Sequence, residues 1–293
     1  MTGMKLTLKM PKRLNRSWAV DILLFLLLGG IAFFMALPLV FTISNAFKPI
    51  DEIFVFPPKL LVRNPTFKNF TDLVNIFSDS WVPFSRYVFN TFFIAIVGTV
   101  GHVIIASAAA YPLAKIKFPG RNILFNMVVM SLMFTAYVTQ VPNYMTISWL
   151  HLINTYWAII LPSFGMTLGL YLMKQFMEQV PDSLLEAAKI DGASEYRIFW
   201  QIVMPIVKPA WLTLVIFSLQ NLWTNGSVTS HKYIYSEQLK TVDYVFGQIA
   251  SGGLVRTGPV SAVTLLMMAV PITVFIVTQS NIIQTMSTSG LKE

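Results

Sequence analysis

The chain has 293 residues, 55% of them hydrophobic and only 12% charged, with a formal net charge of +8 and a mean hydropathy of +0.64. One soluble core cannot hide that much apolar surface, so the composition excludes a soluble globular domain and predicts an all-α polytopic membrane protein. The lack of cysteine excludes a disulfide framework, a thiol nucleophile and a cysteine-held metal site. The basic residues sit beside apolar stretches and not along one solvated face, which points to lipid headgroups and away from nucleic acid.

Six uncharged stretches reach the roughly 20 residues that cross a hydrocarbon core: about 22–46, 87–114, 122–146, 155–173, 209–225 and 259–284. They predict an N-terminal tail over 1–20, a membrane domain over 21–285 and a C-terminal tail over 286–293. The first stretch follows Lys5, Lys9, Lys12, Arg13 and Arg16, the pattern of a signal peptide. Its apolar run continues to Phe47 with no small-residue cleavage site, so a retained first helix is expected. The second carries His102, read as a neutral histidine bonded to a neighbouring helix. Between Asn122 and Met173 no residue is charged, and His151 to Asn154 form its polar middle, so two helices joined by a tight hairpin are expected. Tyr137, Gln140, Asn143 and Tyr144 make a polar-aromatic stripe in the third stretch, whereas Met127, Met130 and Met133 read as helix packing.

A compact polar island follows, Ser183 to Gly192 and on to Ile202-Val203-Met204-Pro205. Ser183 and Glu186 have capping-box spacing, Leu184 to Ile190 are good helix formers, and Gly192 can take the left-handed conformation that ends a helix. Asp191 to Ser194 then form a break, and Glu195 to Val203 start a second run that Met204-Pro205 interrupts. The expected result is a helix-turn-helix on the membrane surface. Beyond it, Gln220, Asn221, Trp223 and Asn225 cluster at the end of the fifth stretch. Aromatic faces and amides suit a sugar; Trp223 equally suits an interfacial belt and Asn221 an interhelical hydrogen bond. The segment 226–258 reads either as a partner-contacting loop or as a disordered one.

Basic residues near the stretch ends place the N-terminal tail, the turn with Lys115, Lys117 and Arg121, and the island with Lys174, Lys189, Arg197 and Lys208 in the cytoplasm, with both termini inside. None of the six stretches holds Asp, Glu, Lys or Arg, so a bound coupling ion has no carboxylate to hold it. Nor is there a Gly-x4-Gly-Lys-Ser/Thr loop for ATP. Energy is therefore expected to enter through a separate ATPase, and the island is the place to engage one.

Glu186-Ala187-Ala188, Gly192, Ile202 and Met204-Pro205 resemble the EAA loop of permease subunits of ATP-binding-cassette importers, E-A-A-x3-G-x9-I-x-L-P, with Met204 in place of the leucine. Phe89-Asn90-Thr91, Tyr111-Pro112-Leu113-Ala114, Phe118-Pro119-Gly120-Arg121 and Ile190-Asp191-Gly192-Ala193-Ser194 are similar to the carbohydrate branch, in particular the smaller membrane subunit of maltose importers and alginate-type permeases. The resemblance implies a type I importer permease fold in which the 181–209 loop holds the coupling helix. Glu186, Ala187, Ala188, Gly192, Ile202 and Pro205 are then the ATPase-coupling positions, with Lys189 and Asp191 as further docking candidates. It implies a C-terminal tail, Gly290, Leu291 and Lys292, that reaches the ATPase. It also implies a second, homologous permease, an ATPase dimer that binds ATP and Mg, and an extracytoplasmic solute-binding protein, all at the cytoplasmic membrane of a prokaryote. No catalytic residue and no metal is expected in the chain itself. A secondary carrier or a membrane scaffold remains as a rival, and within the importer reading polyols, glycerol phosphates or amino acids are alternative cargoes.

Overall fold

The computed structural model describes residues 18–78, 81–224, 232–253 and 256–289. Every regular element among them is helical. In chain order these are α1 (Trp18–Phe47), α2 (Ile50–Ile53), α3 (Lys68–Ser78), α4 (Phe84–Lys115), α5 (Arg121–Ser131), α6 (Ala136–Trp149), α7 (Trp157–Phe164), α8 (Thr167–Glu178), α9 (Asp182–Ile190), α10 (Glu195–Ile198), a π-helical turn Phe199–Val203, α11 (Met204–Ile206), α12 (Lys208–Thr224), a 3-10 turn Glu237–Leu239, α13 (Val242–Ala250) and α14 (Thr257–Ser289).

Among the described residues, four helices are long and apolar enough to cross a bilayer: Trp18–Phe47, Phe84–Lys115, Trp157–Glu178 and Thr257–Gln279. A fifth is available if Glu195–Ile206 and Lys208–Thr224, which meet at 79°, count as one span. The stretch expected to be continuous over 122–146 is instead two helices, broken at 132–135. There the amides of Leu132, Met133 and Phe134 tighten onto carbonyls three residues back, and the Ser131 hydroxyl takes Val128 O at 2.7 Å. The uncharged limit at Met173 is not a helix end either. Helix α8 continues to Glu178 and carries a Lys174–Glu178 ion pair of 2.7 Å at its last turn. Met127, Met130 and Met133 are mostly uncovered by the described residues, at 60%, 63% and 83% exposed.

Helix α4 is the centre of the bundle, with α7, α8 and α12 against it. Its small residues, Ala95, Gly98, Ala106, Ser107 and Ala110, let those neighbours approach closely. Three apolar clusters follow it from end to end: one around Tyr87, Leu73 and Val245, one around Ile94, Ile160 and Leu222, and one around Ala110, Met177 and Leu185. The end that holds α9 to α11 is called basal below, and the end that holds α3 and α13 distal.

Between the ends, His102 is buried and its Nδ1 lies 3.2 Å from Phe164 O, the carbonyl just before the α7–α8 break at Gly165. It joins α4 to that break, as its sequence setting predicts. Gly169 packs on the other face of this ring, and a Cβ at 169 would overlap His102 Nε2, whereas one at Gly30 would meet nothing within 4 Å. Gly169→Val is therefore expected to destabilise the purified chain by about 1–3 kcal/mol through overpacking, and Gly30→Val to have little effect. Thermal unfolding followed by size-exclusion chromatography in detergent checks the difference; equal melting temperatures for the two variants would refute it.

Candidate functional site

The basal segment is built on the last turn of α4. Lys115 Nζ donates to Glu178 O (3.2 Å) and Val180 O (2.5 Å), the carbonyls freed at the end of α8, and to Asp182 Oδ1 (2.7 Å). This anchor decides where α9 begins. Pro181 is the N-cap, without a side-chain capping bond, and Asp182 is the first helical residue. The capping box expected of Ser183 and Glu186 is not formed, and both residues lie exposed within the helix. The entry is fixed from a neighbouring helix, so no local cap is required.

The exit of α9 follows the sequence expectation. Gly192 has φ +77°. The amides of Gly192 and Ala193 donate to Lys189 O (3.0 Å) and Ala188 O (2.9 Å), the paired bonds of a Schellman motif. A Cβ at 192 would meet no atom within 4 Å, so the demand for glycine is conformational. Ser194 Oγ accepts the Arg197 amide at 3.4 Å and starts α10.

Leu185 and Ala188 turn inward to the cluster around Ala110 and Tyr111. Ser183, Glu186, Ala187 and Ile190 share an outward stripe at helical spacing, with Ile190 exposed at 87%. The sequence reading took Ile190 only as a helix former; an aliphatic residue at the exposed tip of a polar helix is the signal that was available. Asp191 is exposed, but Lys189 is bound to Glu195 Oε1 at 2.6 Å. Ile202 is half-buried and Pro205 is exposed in the first turn of α11. The break lies at Val207, two residues past the expected Met204-Pro205, because Pro209 has no N–H for the Pro205 carbonyl. Trp211 Nε1 donates across the bend to Met204 O at 3.2 Å.

Two carboxylates in this segment are held below their ordinary range. For Asp182 the main cause is the Lys115 hydrogen bond, with that ammonium's charge second. For Glu195 it is the Lys189 hydrogen bond, followed by that from the Tyr111 hydroxyl.

The second candidate site is less coherent. Trp223 is 4% exposed, donates Nε1 to Met267 O at 2.7 Å, and meets Phe92 edge-on at 5.0 Å, so it braces α12 against α4 and α14. Gln220 and Asn221 are exposed. Gln220 is the one polar side chain in a hollow of about 220 Å³ with Ile216, Leu219, Pro271 and Phe275 among its walls. Tyr137, Gln140, Asn143 and Tyr144 share an arc of α6, with Tyr137 almost fully exposed and Tyr144 stacked on Tyr233 at 6.0 Å. Asn225, Gly290, Leu291 and Lys292 lie outside the described residues.

The distal segment 232–253 is folded, and a residue that the sequence reading quoted without a role holds it. Asn90 has no exposed surface; its Nδ2 donates to Gln238 O and Lys240 O, both at 2.8 Å, and its Oδ1 accepts from Tyr156 OH at 2.7 Å. Thr91 Oγ1 accepts the Val242 amide at 2.9 Å and Tyr87 OH donates to Glu237 Oε1 at 2.9 Å. Asn154 receives Ser236 N at 2.9 Å and donates to the Ser236 hydroxyl at 2.8 Å.

Residues 16–288 match the model of a family described as "Binding-protein-dependent transport system inner membrane component". Protein LplC of Bacillus subtilis (strain 168) is 34% identical over 210 residues, covering 70% of this chain and 67% of that protein. The arabinooligosaccharides transport system permease protein AraQ of Halalkalibacterium halodurans is 32% identical over 195 residues, 67% of this chain and 69% of that one. Among solved structures, a chain of a bacterial ABC transporter involved in the import of the acidic polysaccharide alginate superposes with a TM-score of 0.76 at 22% identity, over 92% of this chain and 99% of that chain, a likeness of fold.

The depressed carboxylates fix a pH dependence. Each ion pair adds stability that is present above the ordinary carboxylate pKa of about 4 and is lost as pH falls through the lower folded value. The chain has no cysteine, so a spin-label pair on Ala187→Cys and Asn122→Cys is unique. Its distance distribution is expected to stay constant from about pH 7 to pH 5 and to broaden only below about pH 4. Broadening near pH 6 would contradict the assigned causes.

Proposed function

The chain belongs to the binding-protein-dependent transport system inner membrane components, and from that premise we propose that it is a permease subunit of an ATP-driven importer that carries a sugar, an oligosaccharide by class, across the cytoplasmic membrane. The cargo class rests on kinship with AraQ, a permease of arabinooligosaccharides. The chain is a transport component and not an enzyme; ATP and Mg act on a partner ATPase.

The observation that carries the mechanism is the exposed stripe of α9 on a base that cannot shift independently of the bundle. Helix α9 is the coupling helix, docking on the ATPase through Glu186, Ala187, Ile190 and the exposed Asp191, with small Ala187 allowing close backbone approach. Gly192 gives the turn that returns the chain to α10 in a fixed direction. The basal end is the cytoplasmic one, because Lys115, Lys117, Arg121, Lys174, Lys189, Arg197 and Lys208 gather there. The distal end, with 232–253 fastened to α4, is the outer face that receives the solute-binding protein. Six spans result when α5 with α6 counts as one broken span and α12 as another, which leaves both termini in the cytoplasm. The apolar faces of α1 and of α5–α6 that nothing in the chain covers meet lipid and the second permease. Gln220, Asn221 and the α6 stripe are the cavity-side candidates. Sugar enters when closure of the ATPases carries α9 inward and the helices switch to outward-facing, and hydrolysis resets them.

Vesicles holding this chain with its partner permease and ATPases, supplied with binding protein and labelled oligosaccharides, test the reading. Uptake is expected to require ATP, and Gly192→Pro to abolish it, because proline cannot adopt φ +77°. ATP-independent uptake by the chain alone would establish a secondary carrier instead.

A further inference from the structure

Tyr111 and Lys115 lie one helical turn apart on α4, and each holds one end of α9. At the entry, Lys115 holds Val180 O and Asp182. At the exit, the Tyr111 hydroxyl donates to Glu195 Oε2 at 2.7 Å, while Glu195 Oε1 takes Lys189, in the last turn of α9, at 2.6 Å. Between these two points Leu185 and Ala188 pack into the same cluster as Ala110, Tyr111 and Ala114. The Tyr111 ring is buried and leans on Phe199 at 5.4 Å, so the hydroxyl is aimed and not free to search. One carboxylate thus joins three elements, α9, α10 and α4, and the surface helix is fastened to one membrane helix at both ends.

We propose that Glu195 and Tyr111 are positioning residues for transport, which make α9 and α4 a single lever so that a displacement of α9 turns α4 instead of sliding past it. The bend at Val207 is the joint on the other side: α12 leaves the same segment at 79°, with the Trp211–Met204 bond across the bend beside the Val207–Val203 and Trp211–Val207 backbone bonds, so motion reaches α4 through the Glu195 and Lys115 links and α12 through the bend. This rests on the reading of α9 as the ATPase contact. Apolar packing alone would keep α9 in place at rest; the two hydrogen bonds of Glu195 set its direction under load, since they are charge-assisted and directional.

The test uses the intact complex in vesicles, with uptake and ATP hydrolysis measured on the same preparation. Tyr111→Phe removes only the hydroxyl, and Glu195→Gln keeps the shape but loses the charge. Both complexes are expected to assemble in native amounts and to hydrolyse ATP in the presence of binding protein, while sugar moved per ATP falls about tenfold, the effect of one charge-assisted hydrogen bond. The double variant is expected to fall no further than either single one, because both break the same link. An unchanged transport-to-hydrolysis ratio, additive losses, or failure of both variants to assemble would each overturn the proposal. Gly192→Pro separates the two levels: if it leaves ATP-driven uptake intact, the coupling reading itself fails; if it abolishes uptake while Glu195→Gln retains the native ratio, only the lever fails.

Discussion

Carbonyl oxygens freed where a helix ends or bends need a donor from elsewhere, and this chain meets that constraint with side-chain donors sent from neighbouring elements. Asn69 Nδ2 serves Ala46 O and Lys48 O at the end of α1, at 3.0 and 2.8 Å. Lys115 serves the end of α8, and Arg121 serves the end of α4 through Leu113 O (2.7 Å) and Ala114 O (3.1 Å). His102 sits at the α7–α8 break and Trp211 at the bend before α12. Each donor comes from outside the turn it completes. The irregular points of the backbone are therefore the places where helices are joined to one another.

That arrangement explains why the two ends of the bundle are built differently. The basal donors are lysines and an arginine that reach past the apolar layer to carbonyls and carboxylates, a long-stemmed cation with a polar tip. Distally the amides and hydroxyls of Asn90, Thr91 and Asn154 bind the backbone of 236–242, with Tyr156 bracing Asn90 and the charged groups Arg86 and Glu237 beside them. A carboxamide clamped on two carbonyls and one hydroxyl fixes a single pose.

Legibility in the sequence followed the range of the forces. The Schellman turn at Gly192 is local, and glycine after a helical run is enough to announce it. The all-helical class, the turn at His151 and Asn154 with their left-handed backbones, and the histidine bond were equally readable, because each depends on composition or on a lone polar group in an apolar helix. Non-local decisions were not. Ser183 and Glu186 carry the spacing of a cap, but Lys115, more than sixty positions earlier, sets the entry to α9. Trp223 offered itself as a cavity wall until its indole N–H found a carbonyl in α14. The methionines of α5 looked like packing because sequence shows apolar character and not whether a partner is in the same chain. Glu195 gave no signal at all, since its two partners come from different elements.

Helix α1 shows a consequence of the same economy for how the protein is made. No residue in its membrane-length window is fully buried; it lies against α14 and is fastened at its distal end by the Asn69 amide on its last carbonyls, with Phe47 against Phe67 and Phe70 at 5.5 and 5.4 Å. Those groups, like α14, follow α1 in the chain. A nascent α1 therefore enters the bilayer by its own hydrophobicity, and its end is fastened only once the segment carrying Asn69 has been made, so the loop after it completes its docking.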